Sequence, residues 1–165
     1  MAVERATVSR RIEASPQAIF TVITDPAMHV EIDGSGMLVA APDARPLHAA
    51  GDTFDMHMDR EALGDIPLGK YTVRNTVTRI VPGRTLEWNI GGVGQPAFGH
   101  VYGYELRAVP PDATEVTLYV DWSGVPDERI RLRFPIVPLA ALEKSLENLE
   151  RIVASQGPGH VGTVR

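Results

Sequence analysis

Cysteine is missing from this chain of 165 residues. Its absence excludes disulfides, thiolate metal sites and cysteine nucleophiles, and suits a reducing, cytoplasmic setting. Near the start no apolar run follows a basic segment, so no secretory signal is read there. No stretch approaches the roughly 18 apolar residues of a spanning helix, which argues against stable membrane insertion. Basic charge is also short. Sixteen Lys and Arg face 21 Asp and Glu, for a formal net charge of −5. That balance disfavours nucleic acid, whose phosphates need a basic face. Arg129, Arg131 and Arg133 come nearest to a patch, and on an extended segment they would share one solvated side. Repeats and low-complexity tracts are absent. Gly91-Gly92-Val93-Gly94 lacks the lysine and helix start of a phosphate loop, and no dinucleotide fingerprint follows a strand, so no cofactor is implied.

What is present is clear periodicity. The length fits one domain, able to bury roughly 70% of its unfolded surface. Residues 7–13 alternate weakly and read as a strand. Ser15-Pro16 opens a helix, with Ile19, Phe20 and Ile23 as its buried stripe. Asp25-Pro26 repeats the signal for a second short helix over 26–32, and Asp33-Gly34-Ser35-Gly36 ends it. Strand patterns follow at 37–41, 52–59, 71–81, 86–90, 100–107 and 116–122. Pro82-Gly83 and Pro110-Pro111-Asp112 make turns, and 60–69, 91–99 and 123–135 read as loops. From Pro138 the period changes. Leu139, Leu142, Leu146, Leu149, Ile152 and Val153 recur at three and four, predicting a helix of roughly 25 Å. Glu147 and Arg151 form an i, i+4 pair on its wet side. The domain therefore spans 1–155, and 156–165 reads as a flexible tail. The fold class is α+β: about seven antiparallel strands, two short helices after the first, and one long C-terminal helix. That helix must bury its leucines on the apolar face of the sheet.

Ile12-Glu13-Ala14-Ser15-Pro16 with Ile19-Phe20, then Gly51-Asp52-Thr53-Phe54, carry a resemblance. So do the run from Val81-Pro82-Gly83-Arg84 to Trp88, Thr114-Glu115-Val116-Thr117, and the segment Leu142 through Leu149. In this order and spacing they resemble the START-like, or SRPBCC, superfamily and its polyketide cyclase/dehydrase group. Ile32-Asp33-Gly34-Ser35-Gly36 is similar to the actinobacterial cyclase-like branch. The resemblance implies a helix-grip fold, in which a curved sheet wraps the last helix and leaves a cavity for a small hydrophobic, lipid-like or aromatic molecule. It supplies no universal catalytic residues.

The strand faces aimed at the helix offer Phe54, Met56 and Met58, then Tyr71, Val73, Asn75 and Val77, then Trp88. Tyr104, Leu118, Val120 and Trp122 continue the wall, and Leu142, Leu146 and Leu149 face it from the helix. An apolar wall with a few polar tips suits a ligand pocket and equally an ordinary core. Asn75, if buried, needs a partner from the protein or a ligand. His100 and Tyr102 are the candidate catalytic pair, since an imidazole moves protons and a phenol donates to an enolate oxygen. Asp55, His57 and Asp59 share the opposite face, where a solvated surface rather than a metal site is expected. His29 beside Glu31 reads as surface, and Asp33-Gly34-Ser35 as a turn. The three loops, with apolar tips at Ile66, Pro67, Leu68 and Phe98, are expected to gate access. Three functions remain open on these residues: a carrier of a small hydrophobic molecule, a cyclase or dehydratase acting on an enolisable substrate, and an interaction module without ligand. No oligomeric state is implied.

Overall fold

A computed structural model describes residues 3–156. Seven strands form one antiparallel sheet: β1 (Arg5–Ile12), β2 (Leu38–Ala40), β3 (Thr53–Asp59), β4 (Lys70–Val81), β5 (Thr85–Gly92), β6 (Ala97–Val109) and β7 (Ala113–Asp121). Their order is β1-β7-β6-β5-β4-β3-β2, so the first two strands are the two edges. The middle five follow one another as a meander; short turns join β4 through β7, which allows only antiparallel neighbours, and the longer segment 60–69 joins β3 to β4. The chain crosses from one edge to the other through α1 (Pro16–Ile23) and α2 (Pro26–Ile32). Both helices start as expected: Ser15 Oγ accepts from the Ala18 amide, and Asp25 Oδ1 accepts from the Ala27 amide. Val22 joins Ile19 and Ile23 as the fully buried residues of α1, while Phe20, expected in that stripe, is only half-buried.

Register breaks bend the sheet. One lies between Val77 and Arg79 of β4, another between Asn89 and Gly91 of β5. The first leaves Thr78 unpaired and flips the parity of the strand. Tyr71, Val73, Asn75 and Val77 face inward before it, and Ile80 after it. Gly103 on β6 faces outward, where the ring of Tyr119 covers it and is itself 1% exposed. A Cβ at Gly103 would overlap that ring. The Tyr119 hydroxyl donates to Glu87 Oε2 at 2.5 Å, and the Arg5 guanidinium sits 4.0 Å over the ring.

The long helix α4 (Leu139–Gln156) lies on the inner face. Leu142, Leu146, Leu149 and Val153 are buried, and Leu139, expected in the same row, is exposed. Ser145 and Asn148 complete the buried face against α2, where Asn148 Nδ2 donates to the Ile32 carbonyl at 3.0 Å. Arg10 on β1 ties α4 through Glu150 at 2.8 Å, and the expected Glu147–Arg151 pair is not among the ion pairs of the described residues. Gln156 closes the helix rather than opening a tail; the rest of the expected tail, 157–165, lies outside the described residues.

Two expected loops are structured. Residues 91–99 are mostly strand, because β5 runs to Gly92 and β6 begins at Ala97. Within 123–135, residues Glu128–Arg131 form a short helix, α3. Arg129, Arg131 and Arg133 therefore do not share an extended edge. Arg129 pairs with Asp127, and Arg131 pairs with Glu4 at 2.9 Å and donates to the Val125 carbonyl.

Candidate functional site

Between sheet and helix lies a cavity of about 430 Å³. Its floor is Met56 and Met58 of β3, Tyr71, Val73 and Asn75 of β4, Trp88 and Ile90 of β5, and Phe98, His100, Tyr102 and Tyr104 of β6. These positions share one pleat face, so the alternation that marks the strands also builds the wall. Leu142 and Ser145, from the first half of α4, form part of the roof. The second half of α4 sits on solid core: Leu149 is 0% exposed and Val153 6%. One helix thus covers packed side chains at one end and open space at the other.

Of the residues the sequence nominated, Met56, Met58, Tyr71, Asn75, Trp88, His100, Tyr102, Tyr104 and Leu142 line this cavity together. Phe54, Trp122, Leu146 and Leu149 do not; they are buried in the surrounding core. Phe54 stacks edge-on to His29 with 5.2 Å between centroids, and Trp122 stacks on Phe134 at 5.6 Å. Each therefore supports a residue that does reach the wall.

The surface reading of His29 is overturned. The ring is 6% exposed, lines the cavity, and lies 5.0 Å from the Trp88 ring. Its Nε2 bonds to the Ile23 carbonyl at 2.7 Å, and because a carbonyl only accepts, Nε2 carries the proton. Burial holds this imidazole below its usual pKa and hence neutral. The missed signal is periodic: His29 and Ile32 are three apart on α2, and both are buried. Asp33 and Ser35 also reach the cavity wall. They act as the expected turn, with the Asp33 carboxylate accepting from the Ser35 amide, the Ser35 hydroxyl and the Leu38 amide.

Polar side chains at the wall fall into two groups. The first is already satisfied. Arg60 donates through Nε and Nη2 to Asp65 at 2.9 and 2.8 Å, and Ser145 Oγ accepts from the Gly34 amide. The second is not. Asn75 is 4% exposed, and its Oδ1 is buried without a partner among the described residues. His100 Nδ1 is in the same state. Burial pushes the His100 imidazole down to about 4 and raises the phenols of Tyr102 and Tyr104, with the Asp33 charge adding to both tyrosine shifts. All three groups are neutral at pH 7. His100 is ringed by Phe134 at 5.0 Å, Tyr102 at 6.0 Å and Phe98 at 6.2 Å.

Leu68 and Phe98 line the cavity while 52% and 51% exposed, so they mark its mouth. Ile66 and Pro67 do not reach it. On the outer face Asp55 is engaged by Arg74 at 2.7 Å and Asp59 caps the 3-10 turn Arg60–Leu63. Among the described residues no group of three or more His, Asp or Glu is placed to hold a metal. None of the described helices is long and apolar enough to cross a membrane.

No family model matches the chain. It is 29% identical over 129 residues to the uncharacterized protein Rv0088 of Mycobacterium tuberculosis, covering 77% of this chain and 52% of that protein. The uncharacterized protein MT0096 of another strain is 28% identical over the same share of both chains. The chain spans about half the length of these curated relatives. Among solved structures, NE0264 of Nitrosomonas europaea aligns with a TM-score of 0.66 at 13% identity, over 94% of this chain and 98% of that one. Ms6760 of Mycobacterium smegmatis aligns with a TM-score of 0.65 at 12% identity, over 93% and 92%. At such identities the likeness is one of fold: a curled antiparallel sheet around a C-terminal helix, shared almost end to end.

Proposed function

We propose that the protein binds a small hydrophobic molecule in the cavity between sheet and α4, as a START-like, SRPBCC-type carrier of the polyketide cyclase/dehydrase-like group. The observation that carries this reading is the 430 Å³ space itself, walled by methionine and aromatic side chains and bordered by buried polar atoms without partners among the described residues. A solid core leaves few voids larger than a water, so an apolar space of this size marks a binding site.

Binding is favoured over the cyclase reading by the state of the polar groups. A general base works best with a pKa near the operating pH. His100 lies well below that, at about 4. It is poised to hold a hydrogen bond rather than to take a proton at pH 7.

Native mass spectrometry of the purified protein, with naphthalene added as an apolar probe, tests the reading. A one-to-one bound species is expected, together with methyl NMR shifts at Met56 and Met58. If neither the probe nor any co-purified molecule binds, and those methyl signals stay fixed, the carrier reading is wrong.

A further inference from the structure

Asn75 and His100 stand on either side of Ile90. Asn75 pairs with Ile90 across β4 and β5. His100 precedes Val101, which pairs with Asn89 across β5 and β6. Two strand spacings of about 4.8 Å put their backbones on the order of 10 Å apart, and both side chains enter the same cavity.

Each carries a buried polar atom without a partner among the described residues, a state that folded proteins rarely tolerate. The chemistry of the missing partner follows from what each group offers. A half-turn of the Asn75 amide exchanges its oxygen and nitrogen, so it presents an acceptor or a donor. A neutral imidazole likewise has one nitrogen of each kind. The group that satisfies either orientation is a hydroxyl, which both donates and accepts.

Charge narrows the choice further. An ionised group taken into an apolar site needs a counter-charge. Among the described residues the one cation on the wall, Arg60, is engaged at two nitrogens by Asp65. The one anion among the described residues of the wall, Asp33, already accepts from the Ser35 and Leu38 amides and the Ser35 hydroxyl. Size sets the last limit. A volume of about 430 Å³ lies in the lower part of the roughly 300–1,000 Å³ range of small-molecule pockets, which fits a compact ring system or a single chain.

Resting on the carrier reading above, we propose that Asn75 and His100 select an uncharged, compact ligand with two hydroxyl-type groups several ångströms apart, and that the site rejects carboxylates. The two residues act as specificity determinants, and the apolar wall supplies affinity without discrimination.

The test compares three probes of one shape: naphthalene-2,6-diol, naphthalene and 2-naphthoate, titrated by calorimetry and by tryptophan fluorescence. The diol is expected to bind at least tenfold more tightly than naphthalene, and 2-naphthoate more weakly than either. Asn75→Leu and His100→Phe should each lower diol affinity about tenfold without weakening naphthalene binding, and the retained naphthalene binding also shows that the cavity is intact. If either variant does not fold, the probe order in the native protein decides. Naphthalene or 2-naphthoate binding as tightly as the diol would overturn the selection while leaving the carrier reading in place. Failure of all three probes would remove both.

Discussion

The Gly34 amide donates to Ser145 Oγ at 2.8 Å, joining two residues 111 positions apart. Ser145 Oγ in turn donates to the Ala141 carbonyl one turn earlier in α4. This contact seats the segment after α2 directly on the helix backbone, and Asn148 does the same for the Ile32 carbonyl. Together they fix how far α4 stands from the sheet at the end where the cavity lies.

Gly34 has no room for a side chain, because a Cβ there would overlap the Ala141 carbonyl oxygen and crowd Lys144 and Ser145. Backbone cannot yield as a flexible side chain does. Gly34→Ala should destabilise the protein by about 2–3 kcal/mol in urea unfolding. An unchanged midpoint would mean that the segment detaches from α4 freely.

The two ends of α4 should respond differently to truncation. Leu149 is enclosed on all sides, and Leu149→Ala should cost about 3–4 kcal/mol. Leu142 borders open space and has fewer neighbours to lose, so Leu142→Ala should cost about half as much. Equal losses would argue that the space beneath Leu142 is filled.

Stability should fall as pH drops from 6.5 towards 4. Burial lowers the His100 pKa from 6.5 to about 4, so the folded protein refuses a proton that the unfolded chain accepts. The stabilisation is complete above pH 6.5 and is lost as pH approaches 4. His29, lowered by its own burial, acts in the same direction. Lowered carboxylates such as Asp65, held at about 2 chiefly by its Arg60 hydrogen bonds, lose their contribution only at more acid pH. His100→Phe should remove about 2–3 kcal/mol of the decline, as measured by urea unfolding across that range. A variant with the native slope would show that the imidazole titrates freely.

On the convex face, Tyr119 and Gly103 should be coupled. Gly103→Ala forces the Tyr119 ring from its place, breaking its bond to Glu87. The cost should shrink by at least 1 kcal/mol when Tyr119→Ala is already present, a direct result of a double-mutant cycle. Additive costs would place the strain elsewhere.

Asp65 should control charge selection at the cavity wall. With Asp65→Asn, the Arg60 guanidinium loses its counter-ion while its side chain remains only 14% exposed. Affinity for 2-naphthoate should rise about tenfold, and affinity for naphthalene should not move. Calorimetry of both probes on the variant decides it.

Much of the fold could be read from local pattern. The caps at Ser15 and Asp25, the period of two in β3 and β4, and the leucine row of α4 are short-range signals with one physical reading each. Phe54 and Trp122 carried the same inward parity as Met56 and Tyr102, yet packed core surrounds the first pair and open space borders the second. Parity tells a side chain which face it takes, not how near the opposing element comes. His29 departs from its surface expectation for a related reason: a polar residue beside a glutamate reads as solvated, whereas the Phe54 and Trp88 rings pack against it.

The amino-acid order by itself determined the element sequence, the strand faces and the helix that covers them, because propensity, capping and periodicity act over a few residues. Only the tertiary structure decided that open space borders Leu142 and Ser145 while the rest of the α4 row packs solidly, that Asn75 and His100 flank Ile90 without partners among the described residues, and that His29 turns inward. Those outcomes depend on bulges, on the Gly34–Ser145 contact and on distances between elements far apart in the chain, which no local pattern encodes.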